Sequence, residues 1–227
     1  HVEGPFISPV DGYVGAHPKQ HAIPASVDSV MRLVEAGRGM VRLFTLAPEV
    51  EGTIEVTKRL TRESILVAGG HSDASLSDLK QAIDAGLAMF THLGNGCAAF
   101  MHRHDNIVQR VLSLSDQIAV SFIADGHHVP WFALDNYLRR IPDENVIIVS
   151  DAISAAGLGP GLHRLAGQVV EVDANLAAWA EGRGHFAGCA TTMQQMDSLL
   201  RSEISASSIE IERWTRANPS RLLARTC

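Results

Sequence analysis

The sequence has 227 residues, of which 46% are hydrophobic and 19% are charged, a composition typical of one globular domain with a substantial core. Its formal net charge of −6 argues against nucleic acid or an anionic membrane as the main partner. No apolar run approaches the ~20 residues that a membrane-spanning helix needs. Composition is therefore that of an ordinary soluble globular protein.

Short apolar runs alternate along the chain with longer amphipathic segments. Strands are predicted at 40–47, 64–69, 87–93, 117–124 and 145–150. Helices are predicted near 50–61, from Ser72 or Ser75 to about 85, near 105–113 and near 130–140. The strands are nearly continuous Val, Ile, Leu and Phe, as expected when helices cover both faces of a sheet. The alternation predicts βαβ units and a parallel sheet.

A doubly wound sheet and a (β/α)₈ barrel both fit this pattern. No GxGxxG or GxxxxGK[ST] turn follows a strand, which argues against the usual nucleotide-binding folds. The glycine-rich Gly157–His163 is predicted to be a mobile loop. A hairpin insertion is predicted over about 164–188 and helices over 191–224, all within one domain that spans residues 1–227.

The cysteines are few and widely separated: Cys97, Cys189 and Cys227. They lack the CxxC spacing of a thiolate zinc site and the density of a secreted disulfide scaffold. A reducing, cytoplasmic location is the simplest interpretation.

Polar and titratable side chains recur just after the predicted strands. They are Glu3, Glu49, His71, His92, Asp125, His127, His128 and Asp151. In a parallel barrel these positions converge on one rim, where the catalytic residues of that fold lie. The shared position favours a functional site over a set of unrelated polar residues.

Carboxylate and imidazole together are a ligand set for zinc, iron or a similar divalent cation. Glu3, His71 and His92 would form a three-ligand site with an open position. Asp151 is the candidate general base and acid. His128 is placed to polarise a carbonyl oxygen, and His127 competes with it by position. Glu49 is predicted to be structural. The residues alone predict a metal-dependent hydrolase on a barrel rim.

The motifs HVEGPF, GAHP, LAPE, GHSDA, THLGNG, IADGHHV, VSDA and GCATTM occur in this order. This ordered set, which extends from residue 1 to about 220, resembles the N-acetylglucosamine-6-phosphate deacetylases of the amidohydrolase superfamily. The resemblance implies a (β/α)₈ TIM-type barrel and hydrolysis of N-acetylglucosamine 6-phosphate to acetate and glucosamine 6-phosphate. It also implies a divalent metal ion, one or two per site, and a homodimer.

The resemblance assigns roles residue by residue. Glu3, His71 and His92 would be metal ligands, Asp151 the base and then the acid, and His128 the group that contacts the substrate and stabilises the oxyanion. The sugar and phosphate would be held by Ala16, His17, Asn95 and Gly96. Arg103 would bind phosphate across the dimer interface. The acetyl end would be lined by Phe186, Ala187 and Gly188.

The chain departs from the family pattern after His92. Gly94, Gly96 and Cys97 stand where the family has an aromatic residue, Ala and Met. Sugar selectivity is therefore open, with His102 and His104 as additional groups near the phosphate. The alternatives are an amidohydrolase for another N-acyl amino sugar, such as N-acetylgalactosamine 6-phosphate, or for a cyclic amide, and a non-catalytic relative.

The strand count falls short of a closed barrel. Glu3 belongs at the end of a strand, and five complete strands follow it, where a barrel needs eight. The family also carries a small β-sandwich that the sequence does not contain. We therefore expect the barrel to be incomplete, and the 227 residues expressed alone to be insoluble or inactive because open sheet edges promote aggregation.

Overall fold

The computed structural model describes residues 1–165 and 167–224. Six parallel strands form its main sheet: β1 (Val2–Glu3), β2 (Leu43–Leu46), β3 (Leu66–Gly69), β4 (Leu87–Phe90), β5 (Ala119–Ile123) and β6 (Val146–Val149). Each strand pairs with the next one along the chain, in the order β1-β2-β3-β4-β5-β6. The structure confirms the predicted α/β class, with strands that follow one another as in a (β/α)₈ barrel. Within the described residues, β1 and β6 do not pair.

Helices connect the successive strands. They are α1 (Val27–Ala36), α2 (Thr53–Arg62), α3 (Leu76–Ala85), α4 (Ile107–Ser113) and α5 (Trp131–Arg140). Ser75 begins α3 with a capping box, in which its hydroxyl accepts the N–H of Asp78 while the Asp78 carboxylate accepts the N–H of Ser75. The four predicted helices are present.

Helix α1 was not predicted, although its sequence carries the signal. Ser26 caps it by accepting the N–H of Ser29. Val27, Val30, Met31 and Val34 follow at the i, i+3, i+4, i+7 spacing of an apolar helix face. Their pattern predicts a helix over 27–36.

Two apolar clusters pack on the sheet and hold the strand ends in place. In one, Phe44 and Leu46 of β2 pack with Leu60 of α2. In the other, Phe122 of β5 and Leu134 of α5 are fully buried. Strands covered on both sides in this way explain the continuous apolar runs.

A separate antiparallel sheet follows β6. Its strands are β7 (Gly161–Leu165), β8 (Gln168–Val172), β9 (Ala177–Ala180) and β10 (Phe186–Cys189), in the order β10-β9-β8-β7. Where one hairpin was predicted over 164–188, the structure has three antiparallel pairings: β7 with β8, β8 with β9, and β9 with β10. The turn at Asp173–Leu176 joins β8 to β9. The predicted mobile loop Gly157–His163 was also wrong at its end, since Gly161 to His163 pair with β8.

The described chain ends in helices: α6 (Met193–Glu203), α7 (Ser208–Glu212), a π-helical turn (Arg213–Ala217) and α8 (Asn218–Ala224). The helical prediction for 191–224 agrees with them. Cys227 lies outside the described residues. Among the residues that are described, no helix has the length and apolar character needed to cross a membrane.

Candidate metal and substrate site

Four predicted site residues stand where strands of the parallel sheet end. Glu3 is the last residue of β1, and His71, His92 and Asp151 each come two residues after the ends of β3, β4 and β6. The last three have positive φ angles of 52°, 29° and 46°. Such a backbone is unfavourable for residues with a Cβ and clusters at functional sites. The strained turns end the strands and turn these side chains to a common edge.

The Glu3 carboxylate lies between two imidazoles. Its Oε1 is 3.0 Å from His92 Nε2 and 3.6 Å from His71 Nε2. The two histidine rings meet edge to face, with centroids 5.0 Å apart. The predicted ligand triad therefore converges, although its members are 89 residues apart at the extremes.

His17 joins the same group, which the sequence analysis did not foresee. Its ring lies edge to face with that of His71 at 4.7 Å. Glu3, His17 and His71 each offer a ligand atom within 4.8 Å of the others. His17 was expected among the substrate-binding residues, and its position next to Glu3 and His71 makes it a further possible ligand.

Backbone and hydroxyl groups orient the imidazoles. His71 Nδ1 donates to the carbonyl oxygen of Tyr13 at 2.9 Å, so that Nε2 faces Glu3. The backbone N–H of His92 donates to the buried hydroxyl of Ser121 at 2.8 Å. Histidine ligands of metals characteristically have the second ring nitrogen bonded to a carbonyl or carboxylate. His71 follows this pattern, whereas His92 Nδ1 is buried without a hydrogen-bond partner.

Electrostatics favour a cation at this edge. Burial acts to raise the pKa of Glu3, but the hydrogen bond and charge of His92 outweigh it and lower that pKa to about 2. Burial and the neighbouring His92 lower the pKa of His71 to about 4. Burial opposes protonation of His92 as well, yet its bond to Glu3 raises the His92 pKa. An anionic carboxylate beside a neutral imidazole fits a divalent cation, which requires deprotonated ligands.

Asp151 lines the same cleft as Glu3, His71 and His92. Asp151 is exposed to solvent. Desolvation by the surrounding protein nevertheless raises the pKa of its carboxyl group, and the charge of His92 opposes this only in part. The backbone carbonyl of Asp151 accepts the N–H of Cys189, which ties the residue to β10. A carboxyl group with a raised pKa beside a metal-type ligand set suits a proton-transfer role.

His128 is fixed by a carboxylate behind it. Its Nδ1 lies 2.7 Å from Oδ2 of the buried Asp125. Its ring packs against Phe186 of β10, with centroids 4.8 Å apart. His127 faces away, and its Nε2 contacts the carbonyl of Asn175 at 2.8 Å. The structure thus separates the two candidates, and only His128 lines the cleft.

These groups surround one cleft of about 1000 Å³. Every predicted site residue except Arg103 lines it: Glu3, Ala16, His17, His71, His92, Asn95, Gly96, His128, Asp151, Phe186, Ala187 and Gly188. Arg103 is exposed on the loop between β4 and α4 and does not line this cleft. His102 and His104 are exposed on the same loop.

The altered loop after His92 packs directly on His71, one of the predicted metal ligands. Gly96 has φ of +56°, and a Cβ on it would lie 2.8 Å from His71 Nδ1. Glycine therefore suits both the backbone and the close approach. A Cβ on Gly94 would meet only Val129, at 3.6 Å, so the wall of the cleft is open there.

Glu49 has the structural role that was predicted for it. Its carboxylate accepts the hydroxyl of Ser72 at 2.6 Å and the backbone N–H of Asp73 at 2.8 Å. Both bonds hold the loop that follows His71.

Known proteins resemble the chain in sequence and in fold. No protein-family model matches it. It is 35% identical to the N-acetylglucosamine-6-phosphate deacetylase of Bos taurus over 98% of its own length. A structure of a mutant N-acetyl-D-glucosamine-6-phosphate deacetylase from Mycobacterium smegmatis, in complex with N-acetyl-D-glucosamine-6-phosphate, matches 99% of the chain with a TM-score of 0.89 and 28% identity. The chain is therefore similar in sequence and in fold to N-acetylglucosamine-6-phosphate deacetylases.

The match covers nearly all of this chain but only part of the length of each similar protein. The chain spans 55% of the bovine protein and 59% of the mycobacterial structure. An N-acetylgalactosamine-6-phosphate deacetylase from Escherichia coli O157:H7 is 28% identical over 98% of the chain and 58% of its own length. The resemblance of the motifs to the deacetylases is confirmed.

The structure also brings together residues that the motifs did not assign. Ser121, Tyr13 and Asp125 support His92, His71 and His128 respectively, and His185 lines the cleft beside Phe186. Asp125 was recognisable from its place at the end of a strand. Ser121 lies within a buried strand, and Tyr13 acts through its backbone, so neither carries a sequence signal.

Proposed function

We propose that this protein hydrolyses the N-acetyl group of N-acetylglucosamine 6-phosphate to give acetate and glucosamine 6-phosphate. The observation that carries the proposal is the convergence of Glu3, His71, His92 and Asp151 on one cleft. The similarity to deacetylases over nearly the whole chain supports the same reaction. The class is a hydrolase acting on a linear amide.

Glu3, His71 and His92 would hold a divalent cation, with zinc or iron the best fit to one carboxylate and two imidazoles. His17 is placed to contribute to the same ion. When bound, such an ion polarises the amide carbonyl and lowers the pKa of a water molecule. The chain's own residues move the protons.

Asp151 would accept a proton as water adds to the carbonyl carbon. It would then donate that proton to the amine nitrogen as the C–N bond breaks, so that acetate and a free amine leave. A single carboxyl group can serve as base and then acid in this way. His128 would donate a hydrogen bond to the carbonyl oxygen as negative charge develops there.

The cleft supplies places for the rest of the substrate. Ala16, His17, Asn95 and Gly96 would contact the sugar and phosphate on one side. Phe186, Ala187 and Gly188 would line the acetyl end on the other, where the Phe186 ring already packs on His128.

A residue from a second subunit would complete the binding site for the phosphate. Arg103 is exposed and does not line the cleft of its own chain, as expected of a residue that acts across a homodimer interface. An arginine fork pairs two N–H donors with phosphate oxygens. The neighbouring Phe100 is 98% exposed, which suits a contact surface.

N-acetylgalactosamine 6-phosphate is the second candidate substrate. The open wall at Gly94 and the similarity to the Escherichia coli galactosamine enzyme favour it. The two sugars differ only in the orientation of one ring hydroxyl group, which takes no part in the cleavage of the amide bond. We further propose a reducing cytoplasm as the compartment, which the free thiols of Cys97 and Cys189 support.

Acetate release tests both substrates directly. The protein, expressed from its gene together with any segments that flank these 227 residues, then purified and loaded with zinc or iron(II), should release acetate from one or both phosphorylated sugars. Asp151→Asn should lower turnover roughly 10²–10⁴-fold while the ion stays bound, because an amide cannot accept the proton. A variant within a few-fold of the unmutated protein would remove Asp151 from the mechanism. No acetate from either sugar would refute the proposed reaction.

A further inference from the structure

The buried carboxylate of Asp125 is surrounded by hydrogen-bond donors next to the proposed site. Its Oδ1 accepts the backbone N–H groups of His127 and His128, each at 2.9 Å. Its Oδ2 accepts from His128 Nδ1 at 2.7 Å and from Cys189 Sγ at 3.4 Å. The residue is 5% exposed. Each oxygen is thus committed to a different set of donors.

The pKa values of the Asp125 carboxyl group and the Cys189 thiol are both shifted. Burial acts to raise the pKa of Asp125, but its bonds to His128 outweigh that effect and lower the pKa to about 2. Burial and the Asp125 charge raise the pKa of the Cys189 thiol to about 12. At neutral pH the carboxylate is therefore an anion that only accepts, and the thiol keeps its proton.

We infer that Asp125 is a positioning residue that fixes His128 in the tautomer with hydrogen on Nδ1, leaving Nε2 to face the cleft. The inference rests on the proposed function only for its catalytic consequence. Because the carboxylate can accept but not donate, Nδ1 must carry the hydrogen in the neutral ring. When the ring donates to the substrate oxygen, Nε2 carries a hydrogen as well, and the Asp125 carboxylate then lies against a positively charged ring. It contacts neither substrate nor cation.

The two committed oxygens make Asp125→Asn an informative change. The amide oxygen should stay on the two backbone N–H groups, because an NH₂ group there would face two donors. The NH₂ group would then point at His128 Nδ1 and donate to it. Nδ1 would have to become the acceptor, and the hydrogen would move to Nε2. The substitution keeps the shape and reverses the tautomer.

Nitrogen NMR of the histidine rings tests this without any substrate. Spectra of protein labelled with ¹⁵N on histidine should show His128 with hydrogen on Nδ1, assigned as the signal that disappears in His128→Gln. In Asp125→Asn that hydrogen should move to Nε2. A His128 ring with hydrogen on Nε2 and none on Nδ1 in the unmutated protein would overturn the inference, and this outcome remains available even if the variant fails to fold.

Kinetics supply the second measurement. Partners that orient a functional imidazole are worth roughly 10–100-fold in activity. Asp125→Asn should lower kcat by about that factor with KM nearly unchanged, because the neutral ring of the variant donates more weakly to the substrate oxygen than a charged ring held by Asp125. Asp173→Asn is a matched control, because Asp173 also accepts two backbone N–H groups on Oδ1 and a side-chain donor, Trp179 Nε1, on Oδ2. It should leave kcat and the His128 spectrum unchanged. Equal kcat losses in the two variants would overturn the positioning role.

The same three side chains, Asp125, His128 and Cys189, could also hold a cation, since their ligand atoms lie within 4.8 Å of one another. A metal count that falls by one ion per chain in Cys189→Ala would overturn the inference in favour of a metal site. An unchanged count, with the Nδ1–H tautomer retained, supports it. If the tautomer behaves as expected but no acetate is released from any sugar, the positioning stands and the proposed reaction fails.

Discussion

The hydroxyl of Ser121 should affect how tightly the proposed metal site binds a cation, because it holds the backbone of His92. Ser121 lies on β5, is fully buried, and accepts the backbone N–H of His92 at 2.8 Å. The backbone carbonyl of Ser121 accepts the N–H of Leu93 at 2.8 Å. The two bonds hold the strained turn, with its φ of 29°, in which His92 faces Glu3. Ser121→Ala removes one of them.

The expected cost follows from what the change leaves behind. The N–H of His92 becomes a buried donor without an acceptor, and such groups cost about 1–3 kcal/mol. The free energy of unfolding of the metal-free protein should fall by about that amount in urea titrations. His92 should also relax from its strained turn, so affinity for zinc, measured against a competing chelator, should fall roughly 10–100-fold.

Ser115→Ala separates the two effects. Ser115 is fully buried as well, and its hydroxyl donates to the carbonyl of Leu112 at 2.9 Å, in the loop that precedes β5. We expect a comparable loss of stability without a change in zinc affinity. If Ser121→Ala lowers stability but binds zinc as tightly as Ser115→Ala does, the proposed support of His92 is refuted.

Two further predictions concern the phosphate and acid stability. Arg103→Ala should raise KM for the phosphorylated sugar and leave weak turnover of the unphosphorylated sugar nearly unchanged; equal losses on both substrates would make Arg103 structural. The pKa of Asp125, lowered from 3.8 to about 2 by its bonds to His128, means that the folded state binds this proton less readily than the unfolded state. The resulting stabilisation, about 2 kcal/mol, is fully present above pH 4 and is lost as the pH falls towards 2. Unfolding titrations should therefore show a shallower loss of stability across this range in Asp125→Asn than in the unmutated protein, and parallel curves would contradict the assigned cause.

Local sequence patterns predicted much of the fold because its elements carry their own signals. The apolar runs identified the strands, and Ser75 with Asp78 marked the start of α3. The convergence of Glu3, His71 and His92 was also predictable, since the ends of successive parallel strands share one edge. These inferences depend only on the spacing of apolar residues and on the order of the strands along the chain.

Other features depend on contacts between distant segments. His17 lies next to His71 because the segment that leads into the 3₁₀ turn Lys19–His21 folds over the sheet, and no local pattern encodes that path. The second hairpin depends on the turn that Asp173 stabilises by accepting the N–H groups of Asn175 and Ala177. The left-handed backbone at His71, His92 and Asp151 could not be predicted, because residue type favours the opposite sign of φ.

Metal stoichiometry tests the central claim most directly. Elemental analysis of purified protein, after loading with zinc and removal of free metal, should find one tightly bound ion per chain. His71→Ala and His92→Ala should each lose it, because each change removes one of the proposed ligands and the reduced set holds zinc-like ions poorly. His163→Ala is the matched control, since its ring also contacts a backbone carbonyl, that of Gly159, at 3.0 Å; it should keep the ion. Full occupancy in folded His71→Ala and His92→Ala proteins would contradict the account.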